Sequence, residues 1–183
     1  MHPAPADPRW RIAEVFLFTT CTYKCAYCSF AESGVVLDAS QLKPYRDPAF
    51  IRLITGFFNK RSSADCRWLL QLTGGEPLLM PNFALFCDLL ADSGNKIALY
   101  TAMMIGRKHP SFRYLLENAA LFTDYLMVSF HPEAENFEDE FFEKLRLLRQ
   151  AGHRVIFRFV GHPKRLHRLD ELSDKCRALD ISF

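Results

Sequence analysis

Three cysteines crowd into one short stretch, Cys21-Thr22-Tyr23-Lys24-Cys25-Ala26-Tyr27-Cys28. Thiolates are the ligands of iron–sulfur clusters and of zinc, and this spacing lets one loop wrap one metal centre. Three ligands on a four-iron cluster leave one iron without a protein ligand, where a cofactor or substrate can bind. The spacing differs from the paired C-x-x-C units common in zinc sites. A zinc site of three cysteines completed by a histidine is the other reading, and the cysteines by themselves leave both open. The remaining cysteines, Cys66, Cys87 and Cys176, stand apart, and buried apolar thiols are expected there.

A second group of chemical interest is Thr73-Gly74-Gly75-Glu76-Pro77. Paired glycines let backbone approach a ligand closely, and the Glu76 carboxylate can accept hydrogen bonds from an ammonium group. Taken alone, the motif reads equally well as a plain strand-to-helix turn.

The elements that must position these residues alternate along the chain. Strands are predicted at Ile12–Thr19, Leu69–Thr73, Lys96–Met103, Tyr125–Phe130 and Arg154–Val160, from β-branched and aromatic content. Helices are predicted at Pro48–Lys60, Asn82–Asp92, Phe112–Leu121, Glu138–Ala151 and Arg165–Leu179, from apolar periodicity and their caps. Asp180–Phe183 reads as a sixth strand just beginning, so the chain is expected to be the front part of a longer protein. Residues 1–11 are expected to be a flexible leader, and residues 12–183 one domain.

Single helices between strands imply right-handed crossovers and a parallel sheet, either curled into a barrel or flat and doubly wound. The cysteine loop and the Gly74–Glu76 motif both follow strands, so both belong at the carboxyl-end rim, where α/β sheets bind ligands.

In order and placement the two motifs resemble those of the radical S-adenosylmethionine (SAM) superfamily. Its hallmark is C-x-x-x-C-x-x-C after the first strand, with an aromatic residue before the last cysteine, here Tyr27. Its Gly-Gly-Glu motif after the second strand matches Gly74, Gly75 and Glu76. The resemblance runs from Ile12 to the end of the chain. It implies an α/β fold, an incomplete parallel (β/α) barrel of five to six βα units, the partial TIM-barrel type.

The resemblance also implies a [4Fe-4S] cluster on Cys21, Cys25 and Cys28, with SAM on the open iron. Reductive cleavage of SAM would give methionine and a 5′-deoxyadenosyl radical that modifies a substrate. By the same resemblance Tyr27 would contact the adenine, and Gly74, Gly75 and Glu76 the methionine amine. Ser129 would contact the ribose or carboxylate, Arg158 the SAM carboxylate, and Val160 and Gly161 the adenine edge. Strand alternation puts Ser129 and His131 on one side, with His131 expected to be a loop histidine. Arg158 is expected either inside a barrel beside a charged partner or on an exposed surface. Thr101-Ala102-Met103 departs from the family's Thr-Asn-Gly, and a side-chain amide contact is missing there. An electron donor such as a flavodoxin or ferredoxin is the implied partner. A peptide is the implied substrate class. A non-catalytic iron–sulfur or zinc-binding interaction module on the same fold is the alternative.

Bulk properties fit this reading. The chain has 183 residues, 49% of them hydrophobic, with a net charge of +2. That length can bury one core, and that charge carries no footprint for nucleic acid or an anionic membrane. The basic residues of Arg158–Arg168 are expected on a solvated helix face. No run is long enough to span a bilayer, no signal pattern opens the chain, and a cytoplasmic protein is expected. Neither a Walker-type phosphate loop nor a G-x-G-x-x-G fingerprint is present.

Overall fold

In the computed structural model, residues 7–23, 25–28 and 38–183 are described. Five strands, β1 (Arg9–Phe16), β2 (Cys66–Thr73), β3 (Lys96–Thr101), β4 (Phe122–Phe130) and β5 (Val155–Phe159), form one sheet. Its spatial order is β1-β2-β3-β4-β5 and every pair is parallel. The helices between them are α1 (Pro48–Asn59), α2 (Phe83–Ala91), α3 (Pro110–Glu117), α4 (Glu138–Gln150) and α5 (Leu169–Ala178).

Sequential order decides between the two architectures that alternation allowed. A doubly wound sheet reverses its strand order midway and places helices on both faces. Here each right-handed crossover steps in one direction, so the helices gather on one face of the sheet. The fold is α/β, with the parallel sheet flanked by helices in the manner of a partial (β/α) barrel.

Burial follows the strand period of two. Leu70, Leu72, Ile97, Leu99, Leu126, Val128, Phe130, Val155 and Phe157 are buried under the helices. Their neighbours Ile12, Glu14, Phe16 and Arg158, on the opposite face, are exposed. Each large apolar side chain packed under the helices contributes about 1.5–3 kcal/mol relative to an exposed one.

Local chemistry sets most boundaries. The Asp47 side chain accepts from Ala49 N (2.8 Å) at the start of α1, with Pro48 in its first turn. Gly94 and Gly152 have φ of +69° and +96° in the turns that follow α2 and α4, a conformation only glycine adopts freely.

Other boundaries differ from the sequence pattern. Of the leader expected over residues 1–11, residues 1–6 lie outside the described residues and Arg9–Arg11 belong to β1. Arg9 N donates to Asp65 O (2.9 Å), and pairing with β2 holds a polar stretch extended where no apolar pattern marks a strand. The helix expected from Arg165 begins at Leu169, after a 3-10 stretch opened by Pro163. Nor is that basic segment simply solvated. Arg165 is buried, with its guanidinium over the Phe130 and Phe159 rings and Nε 2.6 Å from Glu135. Cys87 and Cys176 are buried as expected, whereas Cys66 is half-buried in β2. At the far end Ser182 makes one parallel bridge to Ile156 on the free edge of β5. No helix among the described residues is long and apolar enough to cross a membrane.

Candidate functional site

The carboxyl ends of the strands surround a cleft of about 540 Å³, a size suited to a small-molecule cofactor. Its walls are built from segments distant in sequence.

The cysteine loop leaves β1 through Leu17–Thr20, which is held on several sides. Gly75 N donates to Phe18 O (2.7 Å) and Glu76 N to Thr20 O (2.9 Å). Thr19 N donates to Gln41 Oε1 (2.9 Å), Thr20 Oγ1 to Asp38 O (2.6 Å), and the Tyr45 hydroxyl to Leu17 O. These contacts explain the glycine pair. A Cβ on Gly74 would lie 2.4 Å from Phe18 O, and one on Gly75 2.0 Å from Thr20 O. Close packing of two chain segments therefore demands the glycines, while both residues also line the cleft.

Cys21, Cys25 and Cys28 all line this cleft, with Tyr27 beside them. Cys28 N donates to Cys25 O (3.0 Å), closing a tight turn between two of the thiols. Cys21 Sγ lies 3.5 Å from Met104 Sδ. Burial raises the Cys21 thiol pKa, and the nearby Glu76 and Cys28 charges add to that. Burial likewise pushes Cys25 up to about 11, reinforced by Glu133. Thiols crowded against carboxylates are the donor set that a bound cation neutralises and ionises.

Glu76 stands behind this wall. Its side chain is fully buried, accepting from Thr101 Oγ1 (2.7 Å), Ala102 N (3.0 Å) and Leu78 N (3.1 Å). Burial raises its pKa, while these hydrogen bonds oppose the shift. Thr101 and Ala102, its partners, face the cleft in its place. Thr101, just before the departure at Ala102-Met103, thus anchors the carboxylate.

The loop after β3 is shaped for this. Met103 has φ +53°, a left-handed conformation costly for a side chain with a Cβ. Its N–H donates to Thr101 Oγ1 (2.8 Å), and its carbonyl accepts from Lys144 Nζ (2.7 Å). Lys144, buried on α4, also donates to Ile105 O (3.0 Å), and its burial lowers its pKa. Sequence reading missed Lys144, because a lysine on an amphipathic helix signals solvent.

On the opposite wall, Ser129 and Arg158 are register partners across β4 and β5, and both line the cleft with Val160 and Gly161. Arg158 is exposed, so water hydrates its charge and no buried counter-ion is required. His131 is a loop histidine as expected, between β4 and the 3-10 stretch opened by Pro132, and it lines the same cleft. Its Nδ1 lies 3.6 Å from Cys25 Sγ and 3.0 Å from the Tyr27 hydroxyl, which donates to Glu133 Oε2 (3.0 Å). The Tyr27 and His131 rings stack with centroids 6.1 Å apart. Alternation had put Ser129 and His131 on one side. Glu133 had no signal of its own.

No family model matches the chain. Among solved structures it resembles Streptococcus suis SuiB, with TM-score 0.61 and 14% identity over 95% of this chain and 38% of that one. It also resembles Streptococcus suis SuiB bound to S-adenosylmethionine, with TM-score 0.59 and 16% identity over 95% and 37% of the respective chains. The chain therefore spans well under half the length of these relatives. At such identities the likeness is one of fold. What is shared is the partial (β/α) barrel.

Proposed function

We propose that this chain is the core domain of a radical SAM enzyme, holding a [4Fe-4S] cluster on Cys21, Cys25 and Cys28 with SAM beside it. The observation that carries this reading is the meeting of all three cysteines with Tyr27, Gly74, Gly75, Ser129 and Arg158 on one cofactor-sized cleft. The donor set fits such a cluster: three soft sulfur donors on one cleft, on a loop anchored at its base by backbone hydrogen bonds.

When bound, the cluster and SAM supply reductive carbon–sulfur cleavage, yielding methionine and a 5′-deoxyadenosyl radical. The chain's own part is to bind and orient. Arg158 and Ser129, side by side on adjacent strands, offer a guanidinium and a hydroxyl to a carboxylate. Gly74 and Gly75 bring backbone close to the methionine amine, with the Glu76 carboxylate behind them supplying negative charge. The Tyr27 ring offers an apolar face to the adenine. A peptide is the proposed substrate class, and a flavodoxin or ferredoxin the proposed electron donor.

Oxygen-free reconstitution with iron and sulfide tests the reading. About four irons per chain and a brown charge-transfer absorbance are expected, with 5′-deoxyadenosine released when SAM and a strong reductant are added. Replacing Cys21, Cys25 and Cys28 together by alanine should abolish both signals, and replacing Cys66, Cys87 and Cys176 should not. Uptake of zinc without iron under these conditions would overturn it.

A further inference from the structure

Cys25, His131 and Glu133 offer a sulfur, a nitrogen and a carboxylate oxygen that all lie within 4.8 Å of one another. They come from two segments, with His131 standing 106 positions from Cys25. A tetrahedral zinc ion, about 2.3 Å from sulfur and about 2.0 Å from nitrogen, holds those two donors about 3.5 Å apart. The Cys25 Sγ to His131 Nδ1 separation is 3.6 Å. Sulfur and nitrogen thus already stand at the spacing of one edge of a zinc tetrahedron.

From this we infer that the cleft contains a second, mononuclear site for a zinc-class divalent ion, formed by Cys25, His131 and Glu133 with a fourth position open. A mixed sulfur, nitrogen and oxygen set suits zinc and its spectroscopic substitute cobalt. The Tyr27 hydroxyl, 3.0 Å from Glu133 Oε2, orients the carboxylate from outside the coordination sphere. Its contact with His131 gives way to the metal. Cys21 and Cys28 take no part. This site shares Cys25 with the proposed cluster, so the two occupants exclude one another. The inference rests on the cluster reading only for that exclusion. The metal site itself stands on its own donors.

Cobalt titration of the metal-free protein is the direct test. One cobalt per chain is expected, with a sulfur-to-cobalt charge-transfer band that zinc abolishes. The band should survive in the Cys21→Ala/Cys28→Ala double variant and vanish in Cys25→Ala and in His131→Ala. In Glu133→Gln, a change on a half-buried side chain, loss of a charged ligand should weaken affinity by more than the roughly tenfold that loss of an outer-shell partner costs. A band that follows Cys21 and Cys28 and ignores His131 and Glu133 would overturn the site. Iron and sulfide reconstitution separates this outcome from the fate of the cluster reading. His131→Ala and Glu133→Gln should still take up iron, while zinc-loaded wild type should take up less. Full iron uptake with zinc retained would overturn the exclusion. Cobalt binding through His131 in a protein that never takes up iron would uphold the site and refute the cluster.

Discussion

Two carboxylates stand behind the lining of the cleft and are held on opposite principles. Glu76, on one side, is wholly buried, and each of its described partners is a hydroxyl or backbone N–H of the fold. Glu133, on the other, is half-buried, and its partners include the Tyr27 hydroxyl and the Cys25 thiol of the cysteine loop. The first carboxylate holds the end of β2 to the loop after β3, and its removal leaves those donors without their acceptor. The second touches side chains that can exchange one partner for another at little cost. One carboxylate is frame; the other belongs to the metal site proposed above.

That contrast breaks most visibly at Glu76. Glu76→Ala would leave the buried Thr101 hydroxyl and Leu78 N–H, and the part-buried Ala102 N–H, without their acceptor. A loss of about 3–5 kcal/mol is expected in denaturant unfolding. A loss near zero would mean that Glu76 belongs to the ligand site and not to the frame.

A smaller effect sharpens the same point from below the loop. Lys144→Met keeps the apolar stem of the side chain but frees the carbonyls of Met103 and Ile105. About 1–3 kcal/mol should be lost, with local hydrogen exchange rising first at Met103–Gly106. Unchanged exchange in that loop would show that it keeps its left-handed turn without the lysine.

The smallest effect is expected at Glu133. Glu133→Gln should change unfolding stability by no more than about 0.5 kcal/mol, since the amide oxygen can still accept from Tyr27. A loss comparable to that of Glu76→Ala would erase the distinction between the two carboxylates.

Much of this molecule is legible in its residues taken in order. Alternation of strand and helix patterns, caps such as Asp47 and stops such as Gly94 act over a few positions, so the order of elements follows from local preference. Cys21, Cys25 and Cys28 share one short loop, so their shared cleft also follows from covalent proximity. The motif at Gly74 and Gly75 was read as a close approach of backbone to a ligand. What it approaches, Phe18 and Thr20, was not legible.

Only the tertiary structure decided the rest. Strand order, and with it the choice of a partial barrel over a doubly wound sheet, depends on which edges pair. Local propensity is indifferent to that. The same holds for Lys144, whose charge suggests solvent until α4 packs over the loop after β3. It holds most plainly for His131 and Glu133, which meet Cys25 only because three further strands and their crossovers bring the end of β4 alongside the loop after β1. Sequence spacing determines what one turn of chain can hold, and register between distant strands determines which side chains face one another across the cleft.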